Sequence, residues 1–171
     1  MESKEHLEAN DRHLDERKLT DYYLDPLNQL VHICLSIPKY QSDVKRLAQD
    51  LMYPIEDIVQ VLNRLESMEI IGNRGGKYVT LMKKVHLSRE KSVYRSWRSQ
   101  TKLLSLERLC RFPKEEDYSF SVTFSSNEDC KVKIQSAFLE FLKNVERWVA
   151  ESSLEEAYQL NFDLFPWTHS K

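Results

Sequence analysis

The chain has 171 residues, of which 41% are hydrophobic and 30% are charged, and its net charge at pH 7 is −2. This length suits one domain or two small ones with a real core, and so weak a charge argues for neither a nucleic-acid nor a membrane partner. The charged opening sequence MESKEHLEANDRHLDERK shows no secretory signal, and no apolar run reaches membrane-spanning length, so we expect a soluble protein without a membrane partner.

Three short helices are predicted after a charged tail. Residues 1–20 lack apolar periodicity, and we expect them to be a disordered tail or a polar helix extension. Asp25 and Pro26 are a typical helix start, and the first helix stops at Pro38. A second helix begins after Ser42-Asp43 and a third at Pro54. The second has Val44, Leu47, Ala48 and Leu51 at inward spacing, and the third has Ile55, Ile58, Leu62 and Leu65.

A hairpin is predicted directly after the third helix, in the sequence EIIGNRGGKYVTL from Glu69 to Leu81. This stretch contains all three glycines of the chain. A two-residue turn requires positive φ, so we expect it at Gly75 or Gly76. Three helices followed by a hairpin are the order of a winged helix-turn-helix domain, to which we assign residues 21–86, with the glycines at the wing tip. This fold also serves as a protein-interaction module, so DNA binding is a separate question.

The remaining sequence predicts a linking helix and a second domain. The linking helix covers residues 87–113 and ends at Pro113. In residues 114–171, the segments YSFSVTFS and AYQLNFDLF alternate apolar and polar residues as half-buried strands do. A helix of about 128–151 separates them, so we expect a parallel β-α-β unit with a right-handed crossover. The predicted fold class is α+β: a winged helix-turn-helix, a linking helix and a C-terminal β-α-β unit.

The C-terminal segment YQLNFDLFPWT, Tyr158 to Thr168, resembles the YQLN-x-x-LFP-x-T ending of the bacterial family called domain of unknown function 4423. The upstream DYSFSVTFS is similar to that family's strand rich in serine and threonine. Members of the family are usually labelled transcriptional regulators, so the resemblance implies a regulator. Trp167 departs from the family pattern, which usually has an aliphatic residue there. The family name supplies no catalytic residues.

Residues with catalytic or metal-binding chemistry do not cluster in the sequence. His32 and Cys34 lie two residues apart on a helix and point to different faces rather than to one metal, and Cys34 is expected in the core. Cys-x-x-Cys, Gly-x-Gly-x-x-Gly and phosphate-loop motifs are missing. The three scattered cysteines indicate reduced thiols and a cytoplasmic location. We therefore expect no enzyme, no catalytic residues, no metal and no cofactor.

Basic residues are concentrated between Arg74 and Lys102, where nine lysines and arginines stand against one acid, Glu90. A surface of one sign attracts polyanions. The expected DNA phosphate contacts are Arg74, Lys77, Lys83, Lys84, Lys91, Arg95, Arg98 and Lys102. A recognition helix reads bases with its first turns, and the residues expected to contact bases are Gln60, Asn63 and Arg64. Glu56 and Asp57 in the first turn of that helix oppose phosphate.

The leading function is a DNA-binding transcriptional regulator that uses the winged helix and the adjacent basic helix. The alternative is a non-catalytic interaction module, a winged helix that no longer binds DNA and docks an acidic partner protein. A two-stranded sheet with open edges is not stable by itself. We therefore expect a homodimer built on the C-terminal unit and the linking helix, which would also suit a palindromic DNA site.

Overall fold

The computed structural model describes residues 14–168 of the chain. The chain divides into two compact units. The first joins the residues up to Arg111 with Leu154–Tyr158, and the second joins Phe112–Ser153 with the residues from Gln159 onward. Helices dominate the described residues, which also contain one two-stranded antiparallel sheet, so the fold class is α+β as predicted. Within residues 14–168, no helix combines the length and apolar character that a membrane crossing requires.

Five helices and a hairpin form the first unit. The helices are α1 (Glu16–Leu24), α2 (Pro26–Cys34), α3 (Val44–Leu51), α4 (Ile55–Ser67) and α5 (Val93–Arg111), and the strands are β1 (Ile71–Arg74) and β2 (Lys77–Thr80). Aspartate starts three of the helices, because Asp15, Asp25 and Asp43 each accept a hydrogen bond from a backbone N–H of the first turn. The predicted starts at Asp25, Asp43 and Pro54 are confirmed.

The core of the first unit lies between α4 and the helices and strand that contact it. α4 packs on α2, α3 and β1, and α5 packs on α1 and α2. Leu47, Leu62 and Leu65 are fully buried, as their spacing predicts. Ile55 was also expected to face inward but is 41% exposed, because it lies at the edge of the buried stripe of α4.

The last residues of the predicted tail belong to a helix, so the helix extension is confirmed there and disorder is wrong. α1 begins at Glu16, after the Asp15 cap, and Leu19 is buried with Tyr22 and Tyr23. These three apolar residues follow helical spacing, so burying them stabilises the helix within residues that the sequence analysis assigned to the tail. Residues 1–13 lie outside the described residues.

The predicted boundaries around the linking helix also need correction. α5 starts at Val93 rather than near residue 88, and it belongs to the first unit. Trp97 holds it there, because the indole N–H donates to Gln29 Oε1 at 2.6 Å and the ring meets Tyr23 edge to face. Residues 154–158 also join this unit through the ion pair between Glu156 and Lys39, with an N–O distance of 2.7 Å.

A buried polar chain connects α1, α2 and the segment after β2. His32 Nε2 lies 2.7 Å from the Met82 carbonyl oxygen, and His32 Nδ1 lies 2.8 Å from the Tyr22 hydroxyl. A carbonyl can only accept, so Nε2 carries the proton and the Tyr22 hydroxyl donates to Nδ1 in the neutral ring. His32 is therefore a core residue, and Cys34 beside it is buried as predicted, with burial raising the pKa of its thiol to about 12.

Stability should fall as the pH drops below about 6.5, because burial lowers the pKa of His32 beneath its ordinary value. Below this pH, His32 is protonated in the unfolded chain but stays neutral in the folded chain. The free energy of unfolding therefore falls by at most about 1.4 kcal/mol per pH unit for this one group. The contribution of neutral His32 to stability is fully present above about pH 6.5, and it is lost as the pH falls towards the pKa of His32 in the folded chain. Urea unfolding of the parent and of His32→Gln at pH 7 and pH 5.5 checks this, since glutamine cannot titrate. An equal decline in both proteins would contradict the assignment to His32.

The second unit contains α6 (Glu128–Glu151), which has the predicted bounds and begins at an Asn127 cap. The predicted parallel β-α-β pairing is wrong in this chain. No strand is assigned at 118–125 or 157–165, and residues 118–126 form no hydrogen bond with any residue of the described range. Alternation indicates a surface suited to a sheet but does not provide the partner edge that a strand requires.

The apolar side chains of this unit are largely exposed. Phe138 stacks on Phe162 with ring centroids 3.9 Å apart, but Trp148 on the same helix is 53% exposed. None of the residues of α6 is fully buried. The residues that the structure describes therefore leave much of this helix uncovered.

Candidate nucleic-acid interface

The hairpin is an ordered two-strand ribbon closed by two glycines. β1 and β2 pair antiparallel with Ile71 opposite Thr80 and Arg74 opposite Lys77. Gly75 and Gly76 have φ values of 62° and 88°, which confirms the predicted positive φ and is what a type I′ turn requires. The turn is held by Asn73 Oδ1, which accepts the Gly76 N–H at 2.9 Å.

The hairpin is attached to the helices through both of its strands. The Tyr78 N–H donates to the Gln41 carbonyl at 2.7 Å, in the segment between α2 and α3. Ile71 is buried, and β1 packs on α4. These contacts fix the orientation of the hairpin relative to α4, while the tip projects into solvent.

Two cations stand side by side at the hairpin tip. Arg74 and Lys77 are directly opposed in the register, and both are exposed. Side chains at such positions have Cβ atoms about 5 Å apart, and like charges there repel each other. Neither side chain forms an ion pair with any residue of the described part of the chain. An anion bound between them would relieve the repulsion.

The other predicted phosphate contacts differ in their availability. Lys83, Lys84, Arg95 and Arg98 are exposed, and within residues 14–168 they form no ion pair. Lys91 Nζ lies 3.1 Å from Glu16 Oε1, so its charge is partly neutralised. Lys102 is half-buried, and its pKa is lowered by burial and by the nearby Arg98. Six cations therefore remain as candidates for phosphate contact: Arg74, Lys77, Lys83, Lys84, Arg95 and Arg98.

Two of the three residues predicted to contact bases are exposed on α4, and the third is held in an ion pair. Gln60 and Asn63 lie on the exposed face of α4, three residues apart and therefore adjacent on the helix. Arg64 is directed elsewhere, because its guanidinium lies 2.7 Å from Asp25 Oδ2, the cap of α2. Glu56 and Asp57 are exposed in the first turn of α4, where carboxylates favour the helix dipole but repel phosphate.

Sequence reasoning missed an apolar component of this face. Val59 and Ile55 are each 41% exposed on α4, next to the polar pair Gln60 and Asn63. Both residues fit the helical apolar pattern of α4, so only the packing distinguishes the exposed ones from the buried ones. Exposed methyl groups beside amides can contact the methyl group of thymine.

Substituting valine for Gly75 should destabilise the hairpin by about 1–2 kcal/mol, because β-branched residues tolerate positive φ poorly. A Cβ at this position meets no atom within 4 Å, so the effect is conformational and not steric. Gly75→Asn is the matched control, since asparagine adopts this backbone region readily. Thermal unfolding of both variants checks the prediction. Equal stability of the valine and asparagine variants would contradict it.

Among the residues that the structure describes, no three histidine, cysteine, aspartate or glutamate side chains gather as a metal site would require. In comparisons with known proteins, no curated protein and no solved structure matches the chain. One family model, described as Domain of unknown function (DUF4423), matches residues 6–167, which is nearly the whole length. The chain therefore belongs to the DUF4423 family.

Proposed function

We propose that residues 21–86 form a winged helix-turn-helix and that the protein is a DNA-binding transcriptional regulator. Support comes from the order of α2, α3, α4 and the hairpin, and from the bond between Tyr78 and Gln41 that fastens the hairpin to the helices. The observation that carries DNA binding is the opposed pair Arg74 and Lys77 at a Gly-Gly tip, exposed and without an acidic neighbour in the described chain.

Six exposed cations would hold the DNA backbone. A protein that neutralises phosphates releases condensed counterions, and this release drives binding of any sequence. The wing would contribute Arg74 and Lys77, the segment after it Lys83 and Lys84, and α5 would contribute Arg95 and Arg98. Lys91 and Lys102 fit this role less well, because the first is ion-paired and the second is half-buried.

Gln60 and Asn63 would recognise the base sequence of the DNA. Amide side chains pair well with the major-groove edge of adenine, and Val59 adds an apolar contact. The acidic first turn formed by Glu56 and Asp57 would keep the start of α4 away from phosphate. We therefore propose that the wing and α5 supply most of the affinity and that α4 supplies a modest specificity.

Charge reversal at the wing tests the proposal. Arg74→Glu/Lys77→Glu should reduce binding to a random-sequence duplex at about 0.1 M salt by about 100-fold, since each lost phosphate contact removes about 0.9 of a decade at that salt. The matched control is Lys131→Glu/Lys133→Glu, which makes the same change in net charge on α6. Fluorescence anisotropy measures both. An equal loss in the control would show that net charge alone matters and would contradict the proposed contacts.

A second candidate is a non-catalytic module that docks an acidic partner protein through the same cations. The exposed Ile55 and Val59 beside Glu56 favour it, since an apolar patch with a mixed-charge rim is typical of protein interfaces. Absence of duplex binding even at about 50 mM salt would favour this candidate over the regulator.

A further inference from the structure

The segment Tyr118–Ser125 has the sequence pattern of a strand but pairs with no other segment of the described chain. Its sequence, YSFSVTFS, alternates apolar and hydroxyl residues without a break. Its residues form no hydrogen bonds within the described chain, and both faces are exposed, with Tyr118 at 90% and Phe120 at 74%. Unpaired backbone N–H and C=O groups in a segment of this pattern are a template for strand addition.

The second unit exposes enough aromatic surface to form a protein interface. In the second unit the aromatic side chains that are at least half exposed are Tyr118, Phe120, Phe124, Trp148, Phe165 and Trp167. Aromatic side chains bury about 200 Å² each, so their exposed fractions together represent about 800 Å². A standard stable interface buries about 800 Å² on each partner.

The chemistry of residues 118–125 favours a second copy of the chain as their partner. Residues 118–125 carry no charge, so they offer no electrostatic attraction to nucleic acid or to a charged protein. The segment is also self-complementary. When two copies run antiparallel about a two-fold axis at Ser121, Tyr118 stands opposite Phe124 and Phe120 opposite Val122. All apolar residues then share one face, as an isologous contact requires.

We infer that the protein is a homodimer in which Tyr118–Ser125 pairs with the same segment of a second copy. The two strands form an intermolecular sheet whose aromatic face covers apolar surface of the second units. This inference does not depend on DNA binding. It relocates the predicted strand pairing from within one chain to between two chains.

Light scattering and hydrogen exchange on the full chain test the pairing. The parent protein should show twice the 20.4 kDa of one chain at micromolar concentration, with slow exchange of the amides in residues 118–125. Phe120→Asp/Phe124→Asp should be monomeric with fast exchange there, and it should remain folded because both side chains are exposed in the single chain. Ser119→Asp/Thr123→Lys changes the opposite face, where each aspartate stands opposite a lysine of the second copy, and this variant should remain dimeric.

Three results would overturn the inference. The first is a parent mass of one chain. The second is a dimeric parent in which residues 118–125 exchange as fast as an unstructured peptide. The third is a Phe120→Asp/Phe124→Asp variant that stays dimeric while Leu103→Asp/Leu106→Asp dissociates, which would place the contact on the exposed leucines of α5 instead. DNA binding is measured separately, so failure of the regulator proposal leaves these outcomes unchanged.

Discussion

Arg95→Glu/Arg98→Glu should lose about 100-fold or more in affinity for duplex DNA at about 0.1 M salt. Two lost phosphate contacts account for about 60-fold through counterion release, and the two introduced carboxylates add repulsion. Both arginines are exposed on α5 and form no ion pair within the described residues. The free energy of unfolding should therefore change by less than about 0.5 kcal/mol. Reversing Arg98 also removes a cation that lowers the pKa of Lys102.

Anisotropy titrations and a urea unfolding curve of each protein measure these effects. Arg95→Lys/Arg98→Lys is the control, because lysine retains the charge and should retain most of the binding. A charge-reversed variant that binds DNA as well as the parent would show that these side chains form an ordinary solvated surface.

His32→Ala should lower the free energy of unfolding by about 3–4 kcal/mol. The change leaves the Met82 carbonyl and the Tyr22 hydroxyl buried without their partner, and each such group costs about 1–3 kcal/mol. It also opens a cavity beside Tyr22, where the ring of His32 is 2% exposed. Since domains are typically stable by about 5–15 kcal/mol, the loss would be a large fraction of the total.

Tyr22→Phe separates the hydrogen bond from the packing. It removes one hydroxyl and leaves His32 in contact with Met82, so we expect a loss of about 1 kcal/mol. Urea unfolding monitored by circular dichroism gives both values. A His32→Ala variant no less stable than Tyr22→Phe would mean that the polar chain does not hold α1 and α2 together.

The helices of the first unit were predictable because their starts are encoded locally. Asp25-Pro26, Asp43 and Pro54 specify helix starts within a few residues, and the two adjacent glycines specify a turn with positive φ. The start of α1 was left open between disorder and a helix extension, because Leu19, Tyr22 and Tyr23 lie among charges that obscure a short periodic signal. The unpaired strands were mispredicted for another reason. Alternation encodes a face, whereas the partner edge is a property of the assembly.

The basic residues of the candidate interface could be identified from the sequence, but the ion pairs that some of them form could not. A run of nine basic residues was visible in the sequence, and most of them are exposed. Sequence spacing could not show that Glu16 neutralises Lys91 or that Asp25 holds Arg64, because those partners lie 75 and 39 residues away along the chain. Such pairs depend on how helices pack, and this information is not local.

The salt dependence of binding to random-sequence duplex DNA tests the central claim most directly. If the six cations Arg74, Lys77, Lys83, Lys84, Arg95 and Arg98 all contact phosphate, log Kd should rise with log salt at a slope of about 5, and affinity should fall about 10³-fold between about 50 and 200 mM salt. A steep slope of this kind is the predicted result. No detectable binding at about 50 mM salt, or binding that salt does not weaken, would contradict the account.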